Sequence, residues 1–319
     1  MKSAHQMYER HVKSPLSADD IDQFEDKLGL AESAIMASDL QFLGLVQKSL
    51  TEAELAFSNF RLAQLNNDFD TAQEQLKISV ESSRKSDSRD HILEARSRME
   101  WGLLRFTQGE EEQAGVDLRW AMERLKALSE GSLYHGLAIL NMAEWHVSQN
   151  QSIMAMVILS GIDREGPHAE EIIATSRLST SKLHFEVGDY VASQRHAWVA
   201  FTGCANNEMI ESAIESGLIW LDLSLNEITD DAERMDSIVA NAAPRNVGEN
   251  PELRAHPEDV KIVLDWFQNH WDIDYSGESR PDLAVLIEAE KVIDEPYFTS
   301  IISNSADIED IEIINLLNQ

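Results

Sequence analysis

Residues 96–127 read RSRMEWGLLRFTQGEEEQAGVDLRWAMERLKA, and their spacing decides the fold. Trp101, Gly102, Leu104 and Phe106 gather before Gly109. Beyond it, Ala114, Leu118, Ala121 and Leu125 recur at intervals of three and four, one face of an α-helix. Gly109 takes a positive φ without a Cβ penalty and so ends the first helix. Gly102 and Ala114, being small, let the two helices approach closely where they cross. The stretch is a helical hairpin.

Working outward, a Gly or Asn followed five residues later by a small residue recurs at Asn67/Ala72, Gly109/Ala114, Asn150/Ala155 and Gly188/Ser193. The intervals are 42, 41 and 38 residues, a period that signals stacked helical hairpins. The twelve-residue offset between small positions holds for Gly102/Ala114, Ala143/Ala155 and Ser181/Ser193. Pro167 is expected to stop the helix after Asn150 and open the next.

These residues resemble the tetratricopeptide (TPR) repeat, with small side chains at its eighth, twentieth and twenty-seventh positions. Gly102/Ala114/Ala121, Ala143/Ala155 with Pro167, and Ser181/Ser193/Ala200 match, as does the Gly188-Asp189-Tyr190 turn, with Phe106 and Phe185 at the aromatic position before it. The departures are a period longer than the family's, Phe60 at a small position, and three extra residues between Gly217 and Ala232, although Pro244 keeps its place. The resemblance implies an all-α, right-handed α-solenoid of about five to six TPR-like helix-turn-helix repeats with helical caps.

The expected organisation is N-terminal capping helices over 1–50, a repeat array over 51–245 and a helical cap over 246–319. Ser17-Ala18-Asp19-Asp20 reads as a capped helix start leading into Ile21, Phe24 and Leu28, and Gly29/Ala34 as an eroded repeat or a capping pair. Pro257-Glu258-Asp259 opens a helix carrying Val260, Val263, Leu264, Phe267 and Trp271. A further helix runs through Leu283, Leu286 and Ile287, and Ile308, Ile311, Ile314 and Leu317 suggest a terminal cap or a docking tail.

The charge of -31, from 57 acidic and 26 basic residues, argues against nucleic acid and against anionic membrane surfaces. It indicates either a solvated, self-repelling surface or a groove for basic partners. The single Cys204 excludes an internal disulfide and any multi-cysteine metal site. No signal-peptide pattern opens the chain and no apolar run is long enough for a membrane span, so a cytoplasmic location is expected.

Catalytic motifs are sparse. There is no HExxH, GxGxxG, Walker lysine loop or GxSxG. His184-Phe185-Glu186 lacks the paired cysteines of zinc deaminases, so His184 and His196 are read as packing or surface residues. No catalytic residue, cofactor or metal is expected. Trp101, Trp120, Trp145, Trp198 and Trp220 are read as wedges between hairpins, or else as anchors on a binding face, and Met142, Met154 and Met156 as core filler.

In TPR proteins the first helix of each hairpin lines the groove, which by resemblance places Arg61, Arg96, Asn141, Glu144, Lys182, Glu211 and Glu215 there. The family's Lys/Asn carboxylate clamp is missing, since its positions hold Met99/Leu103, Leu140/Glu144 and Leu178/Lys182. The expected function is a non-enzymatic scaffold binding a protein or peptide partner. The alternative is a peptide-sensing regulatory receptor with residues 1–50 as effector, although these lack a basic recognition helix. A charge gradient is expected, from Arg61, Arg96 and Lys182 to Glu211 and Glu215. Replacing Arg61 and Arg96 by Glu is expected to weaken binding without altering melting.

Overall fold

The computed structural model describes residues 3–87, 89–241, 252–270 and 281–297, with backbone alone at 281–283. The chain divides into two compact units, Met1–Asn150 and Gln151–Gln319, a division falling inside the predicted 51–245 array. The fold is an all-α helical-repeat solenoid. Its one exception among the described residues is an isolated bridge between Ile228 and Ala255.

The first unit holds α1 (Ala4–Lys13), α2 (Ala18–Asp22), α3 (Lys27–Met36), α4 (Leu40–Val46), α5 (Glu52–Leu65), α6 (Phe69–Ser83), α7 (His91–Thr107), α8 (Glu111–Ser129) and α9 (Leu133–Ser148). Ser17 caps α2 and Asp20 reciprocates, but the helix ends at Asp22, so Leu28 belongs to α3. α1 to α4 enclose their own apolar cluster, including Met7, Ile21, Leu30, Phe42 and Val46. Phe60, which departs from the small-residue rule, fills a second cluster with Phe57, Leu76 and Leu93.

A common recipe makes the turns. Ser38, Asn67, Gly109, Asn150 and Gly188 all have positive φ, from 55° to 81°. After Ser38, Asn67, Gly109 and Gly188 the next amide bonds back to a carbonyl in the preceding helix: Asp39 to Ala34, Asp68 to Ala63, Glu110 to Arg105 and Asp189 to His184, each at 2.9 Å. That bond satisfies a carbonyl the helix end leaves open. Asp39, Asp68 and Asp189 then cap the following helix by accepting from Phe42, Thr71 and Ala192. Such a cap contributes about 1 kcal/mol.

The second unit holds α10 (Ser152–Leu159), α11 (Glu170–Glu186), α12 (Tyr190–Asn206), α13 (Ile210–Ser224), α14 (Met235–Ala240), α15 (Pro257–His270) and α16 (Pro281–Ile293). Ser181 and Ser193 meet as predicted where α11 crosses α12. Each hydroxyl donates to the other's carbonyl at 2.9 Å, and both residues are fully buried. Trp198, Trp220, Phe201 and Phe267 build the core together with Cys204, the one cysteine, whose thiol burial pushes up to about 11.

Three expectations are corrected. α10 ends at Leu159, eight residues before Pro167, because Ser160 and Gly161 break it and Ile162 is drawn into the interior; residues 160–169 are irregular. Ala232 lies in a bend instead of a second repeat helix. There the chain turns through Glu227–Thr229, whose backbone pairs with Ala255, and α13 packs on α15 and α16. Met154 is exposed, whereas Met142 is buried. Pro244, Trp271 and the Ile308–Leu317 segment lie outside the described residues.

Close approach is tested at Gly115, where an added Cβ would sit 2.4 Å from the Trp145 indole. That ring is pinned by its Nε1 donating to the Glu111 carbonyl at 2.9 Å. Gly115→Ala should therefore lower stability by about 1–3 kcal/mol. A methyl at Gly44 in α4 meets nothing, and Gly44→Ala should be neutral or stabilising by up to about 1 kcal/mol. Denaturant melts of the two variants check the contrast.

Candidate functional site

The predicted groove residues fall on first helices in both units. In the first unit, α3, α5 and α7 supply neighbouring charges and α9 an aromatic ring. Arg96 on α7 donates to both oxygens of Glu32 at 2.8 and 3.0 Å, and its guanidinium lies 3.9 Å from the Tyr134 ring centroid. Arg61 on α5 donates to Glu100 at 2.7 Å, lies 3.5 Å from Glu32 and stacks over Phe57 and Phe60. Arg96 is only 7% exposed, so it packs inward and offers little to a partner. Asn141 is half-buried and Glu144 exposed on α9.

In the second unit, Lys182 on α11 reaches Glu215 on α13 at 2.6 Å, with Glu211 exposed one turn earlier. The structure thus joins Arg61 with Arg96 through Glu32, and Lys182 with Glu215. Each of these three cations is matched by a carboxylate, Arg61 and Arg96 by Glu32 and Glu100, and Lys182 by Glu215. Glu at 96 would face Glu32 and Glu100, so reversal of Arg61 and Arg96 should lower melting, contrary to the indifference expected from sequence.

Sequence reading missed a cavity of about 420 Å³ in the second unit. The brevity of α10 creates it: the irregular segment after Leu159 carries Arg164 across to α14, where its guanidinium donates to the Val239 carbonyl at 2.9 Å. α11 contributes Arg177 and His184, seven residues apart and so on one face. α12 contributes Ala192, Arg195, His196 and Val199, again one face. Arg177 donates to the Ile162 carbonyl at 2.8 Å, and burial lowers its pKa from the ordinary value.

His184 and His196 stack with ring centroids 5.3 Å apart, and His184 Nδ1 lies 3.7 Å from Asp189. His196 is lowered to about 3, first by burial and then by Arg177 and His184, with Asp189 opposing. The helical register of 177/184 and 192/195/196/199 was the available sequence signal, but Arg164 carries none. A smaller hollow of about 240 Å³ in the first unit is lined by Glu32, Ile35, Met36, Arg61, Gln64 and Leu65.

No protein-family model and no curated protein matches the chain. Among solved structures, the apo form of RapI superposes with a TM-score of 0.51 at 12% identity, over 94% of this chain and 78% of that one. BtubC (BKLC) from P. vanneervenii gives 0.44 at 12% identity, over 78% of this chain and 93% of the other. The RapI likeness supports the helical-repeat fold. Among the described residues no helix is long and apolar enough to cross a membrane.

Arg96→Ala should lower stability by about 1–3 kcal/mol, because Glu32 loses its closer partner in a poorly solvated place; a thermal melt reads it. His196 provides a pH signature. Its folded pKa is depressed, so the unfolded chain binds the extra proton. The stability this residue contributes is fully present above its ordinary value near 6.5 and falls as pH drops from there toward 3. Between those limits the wild type should lose up to about 1.4 kcal/mol per pH unit more than His196→Gln, measured by melts across the acid range.

Proposed function

We propose that the chain is a non-enzymatic binding scaffold of TPR type, holding a protein or peptide partner against the exposed side chains of its first helices. The observation that carries this reading is the meeting of Lys182 and Glu215 across α11 and α13. Predicted groove residues on successive first helices lie side by side there, as a continuous recognition face requires. Arg61, on α5 between Glu32 on α3 and Glu100 on α7, supplies the same adjacency in the first unit. Such faces bind through preformed geometry, and solvated charges govern encounter and selectivity.

Lys182, Glu211, Glu215, Asn141 and Glu144 are the proposed contacts, with Arg61 at the margin and Arg96 shaping the face from beneath. A cytoplasmic setting, without nucleic acid or membrane, fits the charge of -31. A second reading, the peptide-sensing receptor with residues 1–50 as effector, draws on the apolar cluster that α1 to α4 share, against which Leu62 of α5 also packs.

The test is co-purification from the source organism using wild type and a Lys182→Glu, Glu211→Lys, Glu215→Lys variant of unchanged melting. A partner retained by wild type, released by rising NaCl and held about tenfold more weakly by the variant supports the scaffold. Equal retention removes these residues from the interface.

A further inference from the structure

The charge of -31 makes most of this surface repel small anions, yet three guanidinium groups converge on one cavity. We propose that the cavity walled by Arg164, Arg177, Arg195, His184 and His196 is a binding site for a small oxyanion ligand, a carboxylate or phosphate carried on a compact apolar body.

The guanidinium groups come from three separate elements: the segment after α10, α11 and α12. Arg164 and Arg177 each spend a donor on a backbone carbonyl, Val239 and Ile162, which fixes their positions and leaves further N–H groups for a ligand. Arg195 makes no hydrogen bond or ion pair with any other described residue and faces the cavity. A planar fork of that kind matches the oxygens of a carboxylate or phosphate. The opposing carboxylates are Asp189 in the wall, close to His184, and Asp163, which acts on Arg177. Three fixed positive charges against two negative ones leave room for an added anion.

The remaining wall is formed by Ala192, Val199 and Val239, which suits an apolar body. The volume of about 420 Å³ lies within the range of small-molecule sites. The stacked imidazoles add polar edges, and His196, kept neutral by burial beside Arg177 and His184, gains proton affinity when an anion offsets the Arg177 charge. The site is independent of the Lys182–Glu215 face, so it stands or falls apart from the scaffold reading.

The full chain is titrated at neutral pH and constant ionic strength with phosphate, phenyl phosphate, acetate and benzoate, each against matched chloride. Melting temperature and the ring NMR signals of labelled His184 and His196 are the readouts. The expected result is a rise in melting temperature, with movement of both histidine signals, for at least one oxyanion. The aromatic member of that pair should bind more tightly, and phosphates against carboxylates identify the head group. Arg195→Ala, which removes no internal bond, should weaken binding about tenfold, with partial recovery in Arg195→Lys. Silence of the histidine signals toward all four compounds overturns the site. So does equal binding by wild type and Arg195→Ala. Were Arg195→Ala to lose its helical spectrum, Arg195→Lys decides: undiminished affinity there likewise overturns the role of the guanidinium fork.

Discussion

Close contact between helices at positions without a sizeable side chain is the constraint on which each unit depends. A hairpin whose arms cross at Ser181 and Ser193 brings two backbones near enough for each hydroxyl to bond the opposite carbonyl. At Gly102 even a methyl would press on Leu118 at 3.0 Å, and at Gly115 it would strike an indole. Helices held this close fix which residues look outward, so the exposed face of each unit is set by its interior. The turns reinforce this by combining a left-handed residue with a bond back into the preceding helix and, in most cases, an aspartate cap.

Charge plays two roles. Within the first unit, Glu32, Arg61, Arg96 and Glu100 tie successive first helices together over aromatic rings. Partial burial makes removing one member expensive, even where the intact set adds little net stability. In the second unit the cavity arginines are held mainly through backbone carbonyls. That arrangement positions a cation without cancelling it, unlike the Arg–Glu pairs.

The hairpins were legible because left-handed turns demand residues such as Gly and Asn, and because small side chains twelve positions apart mark a crossing. Ser38 was missed as a turn residue since serine seldom signals positive φ, although Asp39 after it repeats the Asn67-Asp68 and Gly188-Asp189 pattern. Periodicity also carried too far at Ala232, where the Glu227–Thr229 backbone pairs with Ala255 and no helix forms. Register placed Lys182 and Glu215 on matching faces but could not reveal that Glu32 turns Arg96 inward. Arg164, Arg177 and Arg195 are scattered along the chain and become neighbours only through the tertiary fold.

The solitary thiol of Cys204 has a practical corollary. Fully buried and poorly ionised, it is shielded from alkylating reagents while the second unit stays closed. Because no other sulfhydryl competes, its modification rate is a built-in clock for opening of that unit alone, readable on the unmutated chain by intact mass.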